Sequence, residues 1–140
     1  MKNINQVERN ELKKASGEGG LLYQELSYVL IGIMYEVHNQ LGPGFTEDIY
    51  EKAVATELEI HGIPYEKQKV VEVYYKKKLM GTYRLDLVVE DKIILELKAV
   101  TALNDVYREQ LLSYLKATGL RLGILVNFGA KSVERERVVN

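Results

Sequence analysis

Apolar positions along this chain recur first with a helical period and then with the period of a strand. From Leu22 to Leu41, the residues Leu22, Leu26, Val29, Leu30, Ile33, Val37 and Leu41 fall on one stripe of a helix. Gly and Pro in "LGPG" (41–44) end that helix. Thr46 is placed to cap a second helix running to about Ile60, which "HGIP" (61–64) stops. Three runs rich in β-branched and apolar residues follow, "KQKVVEVYYKKK", "LMGTYRLDLVVE" and "KIILELKAV", and each predicts a strand. Asn104 or Asp105 can cap a third helix to about Thr118, after which "LRLGILVNF" reads as a buried strand. The tail "SVERERVV" fits an edge strand by its alternation and a short helix by its charge spacing. The order is therefore ααβββαβ with an optional last strand. Three successive strands make an antiparallel meander, and the third helix allows a parallel addition. The expected fold is α/β (α+β), a mixed central sheet flanked by helices. Residues 1–20, ending in "SGEGG", read as a flexible lead-in, and 21–140 as one domain.

Chemistry enters with the stretch "YRLDLVVEDKIILELKAV", Tyr83 to Val100. Two apolar arms flank a charged turn, yet Asp86 sits in the first arm and Glu96 and Lys98 in the second. A loop of Glu90, Asp91 and Lys92 pairs Val89 with Ile93 and sets Asp86 opposite Glu96, with Cβ atoms ~5 Å apart. A two-residue loop would throw every charge onto the apolar face, so the pattern favours the first register. Two facing carboxylates repel unless a cation lies between them. Lys98 supplies one positive charge, and a divalent ion is the other candidate. Mg²⁺ takes one or two carboxylates with waters and phosphate oxygens. Asp86 and Glu96 fit that need, and the backbone carbonyl of Leu97 adds an oxygen. The Lys98 amine could orient or help deprotonate a water, which suits metal-assisted hydrolysis of a phosphodiester. The alternative is a solvated Glu-x-Lys face with Asp86 a chance neighbour.

Bulk composition narrows the classes. The chain has 140 residues, 46% hydrophobic and 28% charged, enough apolar material for a core. It has no cysteine, which removes a disulfide framework and thiolate metal sites, and a reducing cytoplasm is the expected location. "MKNINQVERNELKK" lacks an apolar signal core, and "YVLIGIMY" is too short to span a bilayer. With 19 Lys+Arg against 20 Asp+Glu, the net charge of −1 argues against a large non-specific nucleic-acid footprint. A local basic patch stays open: Lys76, Lys77 and Lys78 could touch a phosphate backbone or form a solvated turn.

Two helices add to the picture. "TEDIYEKAV" puts Glu47, Tyr50, Glu51 and Val54 on one helical face, so acids share a face with apolar residues. "LNDVYREQLLSYLKA" puts Leu103, Val106, Tyr107, Gln110 and Tyr114 on a stripe, with Gln110 where a core residue is expected. A buried amide there needs polar partners; the alternative leaves Gln110 in water at the edge of the stripe. His38, one helix before Glu47, is read more readily as a packing residue than as a ligand.

These residues carry a resemblance. "YEVHNQLGPGFTEDIYEKA", with Gly44-x-x-Glu47-x-x-Tyr50, closely resembles the GxxExxY family of the PD-(D/E)XK nuclease superfamily. Asp86 and Glu96-Leu97-Lys98 match that superfamily's D…ExK signature, Gln110 and Tyr114 resemble its QxxxY motif, and "GLRLGILVNFGA" resembles the family's C-terminal strand. Leu85 stands where the superfamily name has Pro. The resemblance covers about residues 22–140 and implies a restriction-endonuclease-like αβββαβ core. It implies that Asp86 and Glu96 bind metal, that Lys98 acts on the water, and that Glu47 completes the acidic cluster. Gln110 and Tyr114 would orient Lys98 or the phosphate.

The expected function is a Mg²⁺- or Mn²⁺-dependent nuclease acting on nucleic acid, DNA ahead of RNA, with no membrane partner. Two alternatives stand beside it: a catalytically inactive nucleic-acid-binding module of the same fold, and a protein-interaction subunit. The second alternative includes a homodimer, to which ten tyrosines would be suited.

Overall fold

In the computed structural model, residues 22–140 are described; the expected lead-in, 1–20, lies outside them. The described residues fall into two compact units, 22–32 and 33–140. The boundary falls inside the first described helix, α1 (Gln24–Leu41). In the first unit the Ser27 hydroxyl donates back to the carbonyl of Tyr23 (2.9 Å), the local bonding that a hydroxyl finds inside a helix. Every other described element belongs to the second unit: α2 (Glu47–Ile60), β1 (Tyr65–Tyr75), β2 (Lys78–Val89), β3 (Ile93–Lys98), α3 (Asp105–Thr118), β4 (Leu122–Asn127) and β5 (Glu134–Val139).

The five strands form one sheet in the order β1-β2-β3-β4-β5. Its pairings are antiparallel except for β3 with β4, which is parallel across the α3 crossover. The expected meander and parallel addition are thus present. The ambiguous tail is a strand on the sheet's edge, and it buries Val138 while exposing Val139. β3 is buried up to Lys98 and β4 throughout, so both faces of the sheet centre are covered. This mixed sheet with flanking helices is the restriction-endonuclease-like α+β core.

α3 packs on β4, β5 and β1. Leu111, Tyr114 and Leu115 join Val71, Leu85, Val88, Ile94, Leu125 and Val138 in one apolar cluster. Gly123 permits the close approach, since a Cβ there would lie 2.7 Å from a methyl of Leu111. Asn104 caps α3 by accepting from the Val106 N–H (3.0 Å), and Gly119 ends it in the left-handed conformation (φ 76°). Thr46 occupies the N-cap position of α2 as expected, but its hydroxyl donates to the Asp48 carboxylate instead of receiving a backbone N–H.

The "GPGFTEDIY" segment is held by its tyrosine. Tyr50 is fully buried and stacks on Phe128, with ring centroids 4.7 Å apart. Its hydroxyl donates to the Gly42 carbonyl (2.6 Å) and accepts from the Phe45 N–H (3.2 Å). The loop between α1 and α2 turns through Gly42 (φ 69°) and Gly44 (φ 112°), conformations in which glycine carries no Cβ penalty. In this motif the Gly bends the chain, the Tyr pins the bend, and Glu47 is left exposed on the first turn of α2. His38 is buried with Nε2 3.0 Å from the Ala130 carbonyl, a packing role as expected.

Candidate active site

β2 and β3 pair as the alternation demands: Val89 with Ile93, Val88 with Ile94, Leu87 with Leu95. Glu90 and Asp91 both have positive φ (52° and 54°), and the Lys92 N–H closes the turn on the Val89 carbonyl (2.9 Å). Continuing that register brings Asp86 opposite Glu96, and there the ladder stops. The Asp86 N–H donates to Glu96 Oε1 (3.2 Å), and the Leu97 N–H donates to Asp86 Oδ2 (2.8 Å). Each carboxylate accepts from a backbone N–H of the opposing strand, and the backbone pairing ends at Leu87 and Leu95. The side chains converge between the strands, and each acid keeps one oxygen, Asp86 Oδ1 and Glu96 Oε2, outside these two bonds.

Burial dominates the electrostatics. Desolvation, then repulsion by Asp86, pushes Glu96 up from 4.5 to about 8; the Asp86 N–H and the Lys98 ammonium pull it down. Desolvation also pushes Asp86 up from 3.8 to about 6. The Leu97 N–H and Lys98 oppose that shift, while the charges of Glu51 and Glu47 on α2 reinforce it. Burial and the same acid pair push Tyr114 up to about 12. Lys98 is half-buried on β3, with its Nζ 5.0 Å from the ring centroid of Tyr107 on α3. Glu47, Lys98 and Tyr114 therefore all lie within electrostatic reach of the Asp86–Glu96 pair. Gln110 does not take the core position expected of it. It is exposed, and Leu111, one residue on, is buried in its place. Both residues fit the phase of a stripe begun at Leu103; the apolar one was drawn in, because burying an amide without partners is costly. Val106, expected on the same stripe, is 66% exposed.

Three neighbours of the site carry no sequence motif. The β1–β2 ladder pairs Lys67 with Leu87 and Lys69 with Leu85, and leaves out Gln68 and Asp86 between them. Gln68 has φ 52°, an uncommon conformation for a residue with a Cβ, and its Nε2 donates to both carboxylate oxygens of Glu51 (3.0 Å each). Asn127 is fully buried beside the end of β3. Its amide bonds the Val100 N–H and carbonyl (2.9 Å each) and Glu134 (2.8 Å). The Lys98 carbonyl accepts from the Phe128 N–H (2.8 Å), so the backbone carrying Lys98 is fixed from β4. Tyr83 on β2 meets Tyr114 in a tilted ring contact, with centroids 5.1 Å apart.

The donor set suits a divalent cation of the hard, oxygen-seeking kind. Two acids with raised pKa values would be relieved by such a charge, and Mg²⁺ needs no more than one or two carboxylates. Among the described residues, no group of three or more His, Cys, Asp or Glu side chains is gathered closely enough to hold a metal by itself. Further ligands would then be waters, backbone and substrate oxygens. No helix of the described residues is long and apolar enough to cross a membrane.

Among solved structures, the chain is similar to SSO0001 at 19% identity and a TM-score of 0.53, covering 94% of this chain and 61% of that one. It is also similar to an alkaline exonuclease (LHK-Exo) from Laribacter hongkongensis, at 9% identity and a TM-score of 0.51 over 93% of this chain and 75% of that one. These likenesses are of fold, and the chain spans less than two thirds of SSO0001. No curated protein matches the chain. The family model of the PD-(D/E)XK nuclease superfamily matches residues 24–138, the whole of the sheet and its helices up to the last strand, and the chain belongs to that superfamily.

Proposed function

We propose that the chain is a divalent-metal-dependent nuclease of the GxxExxY type that hydrolyses phosphodiester bonds. The observation that supports this most directly is the convergence of Asp86 and Glu96 through reciprocal bonds to the opposing backbone, with Lys98 two residues beyond Glu96. Asp86 Oδ1, Glu96 Oε2 and the Leu97 carbonyl would hold Mg²⁺ or Mn²⁺, with Glu47 reaching it directly or through water. When bound, the ion supplies Lewis-acid stabilisation of charge on the phosphate. Lys98 orients the attacking water and stabilises the charge that develops on the phosphoryl oxygens. Its packing over Tyr107 holds the ammonium near the acids and limits its hydration. Tyr114, raised to about 12, stays protonated and is a hydrogen-bond donor toward the phosphate. Gln110, exposed on α3 between Tyr107 and Tyr114, meets substrate from the solvent side and does not brace the core. DNA is the favoured substrate, and the cytoplasm the favoured location.

The test is cleavage of single- and double-stranded DNA and RNA with Mg²⁺, with Mn²⁺ and with chelator. Lys98→Ala should lower the rate about 10²- to 10⁴-fold, the range expected for a positioned proton-transfer group. Equal trace cleavage by wild type and variant would refute catalysis. Binding without turnover would leave the inactive module of the same fold.

A further inference from the structure

β1 and β2 are much longer than the strand they lie beside. β2 runs Lys78–Val89, while β3 has six residues and pairs only with Leu87, Val88 and Val89. The distal ribbon therefore overhangs β3. From Asp86 to Lys78, eight residues at ~3.3 Å each give it a reach of about 26 Å. Its base is held on α3 through Val71, Leu85 and the Tyr83–Tyr114 contact. Beyond that base it exposes apolar surface: Tyr74 is 57% accessible and Tyr75 62%, with Leu79 and Met80 exposed beside them, while Tyr83 at the base is itself 50% accessible. From Lys69 to Arg84 there are five basic residues and one acid, Glu72; Lys69 pairs with Glu66 and Asp91 at the base, which leaves Lys76, Lys77, Lys78 and Arg84 to the ribbon. Glu72 is engaged by the Tyr74 hydroxyl. Lys76 lies over the Tyr75 ring, 5.5 Å from its centroid.

The tip has an unusual composition for its shape. Tyr75 pairs with Lys78 around a two-residue loop, and both loop residues, Lys76 and Lys77, have positive φ (48° and 65°). That is the backbone of a type I′ turn, where Asn-Gly is the favoured pair because its conformation costs least there. Lysines at both positions are a local choice against stability. Strained positions of this kind concentrate where function requires the side chain.

We propose that this hairpin is an arm that docks single-stranded nucleic acid and leads it to the acid pair. The proposal rests on the nuclease reading above and adds the substrate class. Lys76, Lys77 and Lys78 neutralise phosphates at the tip, and Tyr74 and Tyr75, on opposite faces of the ribbon, each offer a ring face to an unstacked base, Tyr75 the face that Lys76 leaves open. Tyr83 continues the path to Tyr114 and the acids. A duplex keeps its bases stacked on one another, so ring faces of this kind favour single strands. A reach of 26 Å or so matches a site of several nucleotides, within the range of known single-strand binders.

The experiment is binding of the full chain, in chelator, to a fluorescein-labelled 20-nucleotide single strand and to its duplex, by anisotropy across 50–200 mM salt. Wild type should prefer the single strand. Lys76→Asn with Lys77→Gly installs the favoured turn pair, so the melting temperature should equal or exceed that of wild type. The affinity should fall at least tenfold, and the salt slope should shrink by about 1.4, the value for two single-strand phosphate contacts. Tyr74→Ser with Tyr75→Ser should weaken binding at least fivefold at every salt concentration, since stacking is not screened. Unchanged affinity in both variants overturns the arm, as does equal affinity for the duplex. Tip variants that dissociate a dimer while leaving affinity intact assign the hairpin to self-association and overturn it too. Metal-dependent cleavage measured alongside separates the two claims: turnover with unaltered variant binding sinks the arm alone, and the absence of both binding and turnover sinks the nuclease reading with it.

Discussion

Replacing Glu96 with Gln should abolish most of the pH dependence of folding stability between about pH 4.5 and 8. The carboxyl is 6% exposed, faces Asp86 across the strands and has its pKa raised from 4.5 to about 8. An acid whose folded pKa lies above its unfolded value binds more protons in the native state. Stability is therefore full below the unfolded pKa and is lost as pH rises to the folded one. At ~1.4 kcal/mol per pH unit the loss for Glu96 is about 3 kcal/mol by pH 7 and approaches ~5 kcal/mol above pH 8. An amide at position 96 can still accept from the Asp86 N–H through its Oε1, and it carries no charge to desolvate. Urea unfolding followed by far-ultraviolet circular dichroism, in chelator from pH 4.5 to 9, reads the difference. The two stabilities should converge near pH 4.5 and separate by roughly 3 kcal/mol at pH 7, with the variant the more stable. Added Mg²⁺ should return about 2.7 kcal/mol to wild type at a hundred times its Kd and little to the variant. Curves that run parallel over the whole range would refute the burial and repulsion argument. A wild type indifferent to Mg²⁺ at pH 8 would refute the metal site.

Two further substitutions test the frame around the acids. Tyr50→Phe keeps the stack on Phe128 but leaves the Gly42 carbonyl and Phe45 N–H without their partner, and it should cost about 1–3 kcal/mol by urea unfolding. No measurable change would mean that water replaces the hydroxyl freely. Gln68→Gly relieves a positive φ and should hold or raise the melting temperature, but it frees the Glu51 carboxylate that Gln68 holds. Glu51 is one of the α2 charges that act on Asp86, so Mg²⁺ affinity by calorimetry should then fall several-fold, and unchanged affinity would show that the placement of Glu51 does not matter to the site.

The local periods written in the sequence settled most of the elements. Alternation in "LDLVVEDKIILEL" allows one register that keeps Leu87, Val89, Ile93 and Leu95 off the solvent face. The pairing of Asp86 with Glu96 follows from that register without any knowledge of the rest of the chain. Thr46 and Asn104 marked the starts of α2 and α3, and the glycine of "HGIP" the end of α2, for the same reason: such effects act within a turn. Other features waited for the fold. The phase of the α3 stripe admitted either Gln110 or Leu111, and only the surface offered by Gly123, Leu125 and Val138 decided for Leu111. Gln68 reads as one more polar residue in an alternating strand, and its left-out position beside Asp86 depends on how β1 meets β2. The overhang of the β1–β2 hairpin exists because β3 is short, a relation between strands that no window of sequence contains. Local pattern thus fixed which residues share an element and a face. Tertiary structure decided which of those faces met, and so which charges were stripped of water, because desolvation depends on neighbours brought from distant parts of the chain.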